Sequence, residues 1–432
     1  MFRCHRRDNM HTAYRYLCGL IQSERGNMER MEEVVDAAEY EALQQFISAS
    51  PWSASAVFDR VALEADALLG GSGETALIID ESGFAKKGRS SVGVARQWNG
   101  RLGKVDNSQV AVFGALAAGA RVVPIDVKLF LPEEWCNDPA RCKSAGVPQD
   151  AREYRTKPQL ALEIVQHQRR SGVRFDYVSA DGLYGNSGVF CRALDDSGEV
   201  FLMHVHSDQR VWVEDPRPVV PARRSPLGRA PSNLQAQRKP LRVEALARGL
   251  APDEWQRVVV RATSTGPLLV DIHRRQVWVW DGDEEKARVW QLLIRRDCTA
   301  AAEIKYCLTN AAAKTPTVTL SRMEAQRFWI ERAFEDGKSE VSMADYQIRG
   351  WLAWHHHMAL VLMAMLFMTR YRMVMSTTVP LLSCHDIRCL LCHFLPRGNA
   401  TTEEILDQLE HRHRKRRSAS RSAARRQQDE WA

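Results

Sequence analysis

The sequence lacks long apolar runs. Its longest, MALVLMAMLFM at 358–368, is too short to cross a bilayer and is predicted to be a buried core helix, so no membrane partner is expected. The start, MFRCHRRDNMHTAYRYLCGL, has no apolar h-region, which argues against a secretory signal there and for reduced thiols in a cytoplasmic protein. The cysteines follow no standard metal-ligand spacing. The nearest approach, Cys384, Cys389, Cys392 and His393, does not match a zinc finger pair and is not read as a metal site. His355, His356 and His357 occupy consecutive helix positions and face different directions, which excludes a single chelate. No internal repeat is visible. Neither sign of charge dominates: 60 basic and 53 acidic residues leave a net +7, which permits a nucleic-acid partner without requiring one.

What is present is enough chain for two or three cored domains: 432 residues, 45% hydrophobic. Residues 10–70 carry apolar residues at three- and four-residue spacing and read as helices, with Pro51 suited to a first turn. Gly70, Gly71 and Gly73 then mark a boundary. Beyond it the period changes. TALIID reads as a buried strand, 110–119 and 121–132 as two strands joined at Gly119-Ala120, and 156–172 as an amphipathic helix. A strand at 175–181, a short helix at 185–198 and a strand at 199–206 follow. Three strands in meander, then helix, strand, helix, strand, is the order of the ribonuclease-H-like α/β fold. Residues 214–241, rich in Pro, Arg and Ser, read as an exposed loop, and 255–298 again as strands, with Trp278, Trp280 and Trp290 expected in their core. Residues 321–341 read as one strong helix. The predicted organisation is a helical domain at 1–70, a catalytic domain in two parts at 71–206 and 311–375, a mostly β insertion at 207–310, and a helical region with a basic tail at 376–432.

Three acids stand out. Asp80 ends LIID, Asp181 ends YVSAD, and Glu331 lies in RFWIERAFEDGK. Stability does not place carboxylates at the ends of apolar strands, because an unpaired buried charge is costly. Together they suit a hard cation such as Mg²⁺, and two such ions can clamp the attacking and leaving oxygens of a phosphodiester. Arg327, Glu331 and Lys338 fall at i, i+4 and i+11, on one broad helix face, where both cations could meet phosphate. Four other acids compete for the role. Glu335 lies one turn beyond Glu331; Glu81 is expected on the opposite strand face, Asp176 at the wrong strand end, and Asp126 in solvent. Residues 85–104 read as a glycine-rich loop whose Lys86, Lys87, Arg89, Arg96, Arg101 and Lys104 suit a DNA backbone, and Trp98 could equally stack on a flipped or unpaired base or cap the core. The run at 411–428 reads as a basic tail that either binds nucleic acid without reading sequence or serves only to keep the protein soluble.

Residues 80–117, DESGFAKKGRSSVGVARQWNGRLGKVDNSQVAVFGALA, resemble the opening catalytic block of DDE transposases from bacterial insertion sequences, and SADGLYGN at 179–186 is similar to the block around their second aspartate. Arg327, Glu331 and Lys338 fit the register of a third block with Tyr, Arg, Glu and Lys, but Glu324 stands where the Tyr belongs. The resemblance implies cutting at element ends and transfer of the 3′-OH into target DNA with two Mg²⁺ ions, which Mn²⁺ could replace. Asp80, Asp181 and Glu331 would be both the catalytic residues and the metal ligands. It also implies a sequence-reading role for residues 1–70, a homodimer on double-stranded DNA, and a place at the bacterial nucleoid. A cellular nuclease or resolvase with the same chemistry, and a domesticated DNA-binding protein, are the alternatives; intact acids argue against the last.

Overall fold

The computed structural model describes all residues except 5–6, 224–230, 264–265, 299–302, 399–400 and 430–432. Part of the expected loop at 214–241 therefore lies outside the described residues.

Four helices open the chain: α1 (Met10–Gln22), α2 (Met28–Val34), α3 (Tyr40–Ser48) and α4 (Ala54–Leu69). Ser53, not Pro51, starts α4, its side chain accepting the Ala56 N–H at 3.2 Å. Their apolar faces do not close on themselves. Phe2, Tyr16, Leu43, Phe46 and Val57 belong to one continuous apolar cluster that runs through the sheet and on to Ile387.

Ten strands form one mixed sheet. They are β1 (Ala76–Ala85), β2 (Ala95–Asn99), β3 (Lys104–Ala118), β4 (Arg121–Leu129), β5 (Tyr177–Ala180), β6 (Phe201–Val205), β7 (Gln256–Thr263), β8 (Gly266–Val279), β9 (Arg288–Asp297) and β10 (Ile304–Thr309). The order is β7-β8-β9-β10-β6-β5-β1-β3-β2, with β4 also on β3. β1, β3 and β4 form an antiparallel meander, while β5 lies parallel to both β1 and β6. This is the meander-then-parallel order read from the sequence. The later strands continue the same sheet, since β10 pairs antiparallel with β6. Trp290 is buried there, edge-on to Phe201, while Trp278 and Trp280 are only half-buried.

Between the strands lie α5 (Lys157–Arg170) and α6 (Gly188–Asp196). After them come α7 (Thr317–Gln326), α8 (Phe328–Glu340), α9 (Trp351–Met375), α10 (Cys384–Phe394) and α11 (Thr402–Asp429). The single helix expected at 321–341 is two. The chain breaks at Arg327, whose N–H turns back three residues to the Glu324 carbonyl at 3.4 Å. α9 is longer than the apolar run inside it. It is the one helix among the described residues long and apolar enough to cross a membrane by length and composition, yet 56% of its most apolar window is buried. α1, α3, α4 and β4 pack around it. His356 and His357 lie inside that packing: His356 bonds the Ile47 and Trp52 carbonyls, each at 2.8 Å, and His357 bonds Tyr16 at 3.0 Å. They are core histidines.

Two glycines set close approaches. A Cβ at Gly185 would sit 1.9 Å from the His204 carbonyl, so only glycine lets the turn after β5 settle on β6. A Cβ at Gly83 would meet the Asn99 side chain at 2.8 Å, where β2 folds over β1.

Candidate active site

Asp80 stands in the middle of β1, not at its end. Pairing with β3 continues to Ala85–Ser108, but pairing with β5 stops at Ile79–Ala180. The next residue on each of those two strands is an aspartate. Asp181 caps the short helix Gly182–Gly185 and accepts the Leu183 N–H at 3.0 Å. The continuous apolar run that opens β1 and the length of β5 thus bring two carboxylates together where the parallel ladder ends.

Glu81 joins them. Strand alternation predicted that it would point away, but its carboxylate, with those of Asp80 and Asp181, offers oxygens within 4.8 Å of one another. Two donors hold it: the half-buried Lys157 Nζ at 3.0 Å and the buried Tyr184 hydroxyl at 3.0 Å. Lys157 is fixed at the start of α5 by a Thr156–Gln159 capping box. A long side chain with donors at its tip overrides the face its Cβ leaves from. Sequence reasoning missed Lys157 and Tyr184, although Tyr184 sits inside the SADGLYGN block.

Arg327 lies across the acids. It donates to Asp80 at 3.3 Å and also to Glu331. Glu331 is half-exposed, whereas Asp80 is 9% exposed. Glu335, the rival one turn on, is exposed and pairs with Arg332 at 3.3 Å. All five acids line one cleft of about 790 Å³. Burial pushes the Asp80 carboxyl up to about 8 against the pull of Arg327, and burial followed by the charge of Glu81 raises Asp181. The donor set is all carboxylate oxygen, part-buried and mutually repulsive, which fits a hard divalent cation.

Raised carboxyls carry a stability signature. Asp80 keeps a proton on folding that the unfolded chain gives up near pH 4, so its cost to stability grows as pH rises toward its folded value of about 8. In EDTA, Asp80→Asn is expected to melt a few degrees above the parent near pH 8 and by clearly less near pH 5. An equal gap at both pH values in a thermal melt would contradict the buried-charge account.

The predicted DNA-contacting cations divide. Arg101 and Lys338 line the cleft with the acids, and burial lowers the Lys338 ammonium to about 8. Lys87, Arg96 and Lys104 are exposed outside it, Lys104 beside Asp106 at 3.3 Å. Lys86 is turned away. Its Nζ lies 3.4 Å from the centre of the Tyr346 ring and donates to the Tyr346 carbonyl at 3.2 Å, with burial lowering it to about 7. The run at 85–104 is not a loop throughout, because β2 forms a hairpin with the first residues of β3.

Two other acids depart from expectation. Asp126 is buried, accepting from Gln168 at 2.8 Å and facing His167 at 3.1 Å, because helices cover both faces of β4. Glu324 is buried against Arg295 at 2.6 Å, beside His204 and Cys307. That N, S and O donor set resembles a metal cluster, but the nearby Arg295, Arg327 and Lys305 oppose a cation. It acts as a polar clasp between α7 and the sheet.

The family model described as DDE superfamily endonuclease matches residues 1–267, which include Asp80 and Asp181 and stop short of Glu331. The chain is also similar to the "Probable transposase for insertion sequence element IS701" of Microchaete diplosiphon, 30% identical over 205 residues, 46% of this chain and 50% of that protein. The chain thus spans about half the length of the curated relative it matches.

Proposed function

Because the chain belongs to the DDE superfamily endonucleases, we propose that it is a DNA transposase that cuts at the ends of its element and joins the freed 3′-OH to target DNA. The observation that carries this is the convergence of Asp80 and Asp181 at the end of the β1–β5 ladder, inside a cleft rimmed by cations. The sheet is read as a ribonuclease-H-like core at 71–206 and 311–375, with 207–310 as a β insertion extending it. Residues 1–70 are read as the module that recognises the element end, and 376–432 as a helical region with a basic tail.

Asp80, Asp181 and Glu331 are the residues assigned to hold divalent ions, two Mg²⁺ by preference or Mn²⁺ in their place, with Glu81 beside them. Bound there, such ions would activate the attacking oxygen and stabilise the leaving one. The rest falls to the protein. Arg327 pairs with Asp80 and Glu331 and could fork onto a phosphate once divalent ions take those carboxylates. Lys338 and Arg101 face the cleft and hold the strand beside the cut. Lys87, Arg96 and Lys104 extend the basic track outside. Lys157 and Tyr184 keep Glu81 aimed at the aspartates. The active form is read as a homodimer on double-stranded DNA, in the cytoplasm at the nucleoid.

The test is strand transfer. A duplex carrying the flanking ends of the gene, incubated with the chain, Mg²⁺ and a plasmid, is expected to give plasmid joined to the end at its 3′ strand. Cutting without joining would make the protein a nuclease.

The tail gives a separate expectation. α11 exposes Arg414, Arg416, Arg417, Arg421 and Arg425, while Arg412 is anchored on Glu33. Removing 411–432 should weaken binding to all duplexes alike and flatten the salt dependence, because such cations release counterions without reading bases. A loss confined to one sequence with the salt slope unchanged would show that the tail reads DNA.

A further inference from the structure

The β2–β3 hairpin is fixed on one face and bare on the other. On the fixed face Asn99 donates to the Ser108 hydroxyl at 3.0 Å and Gln97 to the Ser108 carbonyl at 2.7 Å. On the bare face Trp98 is 56% exposed and sits opposite Val105, itself 50% exposed. Among the described residues no aromatic ring or cation packs on Trp98. Folding gains little from a large ring left in water, and this one lines the cleft that holds the two aspartates. Arg96 is exposed two residues before it on the same face, and Arg101 follows in the turn and reaches the cleft. A flat apolar ring between two guanidinium groups, on a rigid two-stranded arm at the mouth of an acidic cleft, has a definite complement. That complement carries flat π faces joined by anionic links. In a paired duplex those faces are stacked on one another, so the ring can take only an unpaired one.

We infer that Trp98 is a stacking site for an unpaired nucleobase of the DNA strand entering the cleft, with Arg96 and Arg101 holding the phosphates on either side. This rests on the reading of the cleft as a DNA-cutting site, and it adds a residue that holds a base rather than the reacting phosphate. The hairpin works as a positioning arm: a base caught on the ring fixes the register of the strand relative to Asp80 and Asp181.

The experiment uses the full chain in EDTA, so that nothing is cut. Fluorescence anisotropy measures binding to a fluorescein-labelled mixed-sequence single strand and to the same strand in a blunt duplex. Trp98→Ala is expected to bind the single strand about tenfold more weakly and the duplex nearly as the parent does. Trp98→Phe should keep most of the affinity, and all three proteins should melt together, because the ring is not in the core. Equal losses on both probes, or no loss on either, would overturn the inference. A second arm, cutting of the end-bearing duplex in Mg²⁺, separates this claim from the reading beneath it. A parent that binds through Trp98 but never cuts leaves the stacking site standing and removes the transposase reading. A parent that cuts, with Trp98→Ala binding and cutting identically, does the reverse.

Discussion

Asp80→Ala and Asp181→Ala are each expected to slow cutting of an end-bearing duplex by about 10³-fold, while DNA binding stays within a few-fold of the parent. The magnitude follows from what a metal-holding carboxylate supplies. Lewis-acid stabilisation of the reacting oxygens is worth several kcal/mol, and each ~1.4 kcal/mol is tenfold in rate. Binding is expected to be spared because the cations proposed to meet the backbone, Arg101 and Lys338 in the cleft and Lys87 and Arg96 outside it, are untouched. Removing the buried Asp80 also removes repulsion, so Asp80→Ala should melt no lower than the parent, whereas Asp181→Ala loses the Leu183 cap together with its repulsion and should melt close to the parent. The comparison among the third acids is informative in the same assay. Glu331→Ala should fall with the aspartates; if it cuts normally and Glu335→Ala or Glu81→Ala does not, the third ligand is assigned to the wrong side chain. Single-turnover gel assays beside thermal melts decide both points, and cutting by Asp80→Ala at the parent rate would remove Asp80 from the chemistry.

Chelation is expected to bring cutting to background, with Mg²⁺ or Mn²⁺ restoring it and Ca²⁺ restoring only tight DNA binding. Mg²⁺ demands near-octahedral oxygen ligation at short distance, whereas Ca²⁺ accepts more ligands in a looser shell and leaves the reacting oxygens poorly placed. The carboxylates of Asp80, Glu81 and Asp181 give the hard-donor set this requires. A binding readout accompanies the kinetic one. Calorimetric titration with Mn²⁺ should show binding in the parent, a several-fold weaker affinity in Glu81→Gln, and loss in Asp181→Ala. Cutting that survives exhaustive EDTA treatment, or Mn²⁺ binding indifferent to Asp181, would contradict a metal held there.

The regular parts of this architecture were legible in the sequence because they follow from period. β1, β3, β4, β5 and β6 were all readable as apolar runs, and the change from helical to strand spacing after Gly70 was marked by glycine. Asp80 and Asp181 were visible as carboxylates in apolar settings. What was not legible depended on contacts between distant segments. Glu81 follows its donors Lys157 and Tyr184, which lie 76 and 103 residues away. Asp126 is buried because helices cover both faces of β4, and alternation within one strand cannot report that. Lys86 looked like a phosphate contact by composition, but Tyr346, which captures it, is 260 residues on. The break at Arg327 leaves no mark in helical periodicity, since the apolar spacing runs through it. The β2–β3 hairpin was hidden by its glycines, which signal a loop whether or not the flanking residues pair.

The chemistry of the cut ends decides most directly whether Asp80 and Asp181 direct the attack. A duplex carrying the flanking end of the gene is incubated with the parent chain in Mg²⁺, beside Asp80→Ala and Asp181→Ala, and the nicked strand is sequenced and its termini are labelled. One break is expected at the element boundary, leaving a 3′-OH and a 5′-phosphate, made by the parent and by neither variant. A break of equal yield in the aspartate variants, or a 3′-phosphate at the cut, would contradict the claim that these two aspartates direct the attacking oxygen.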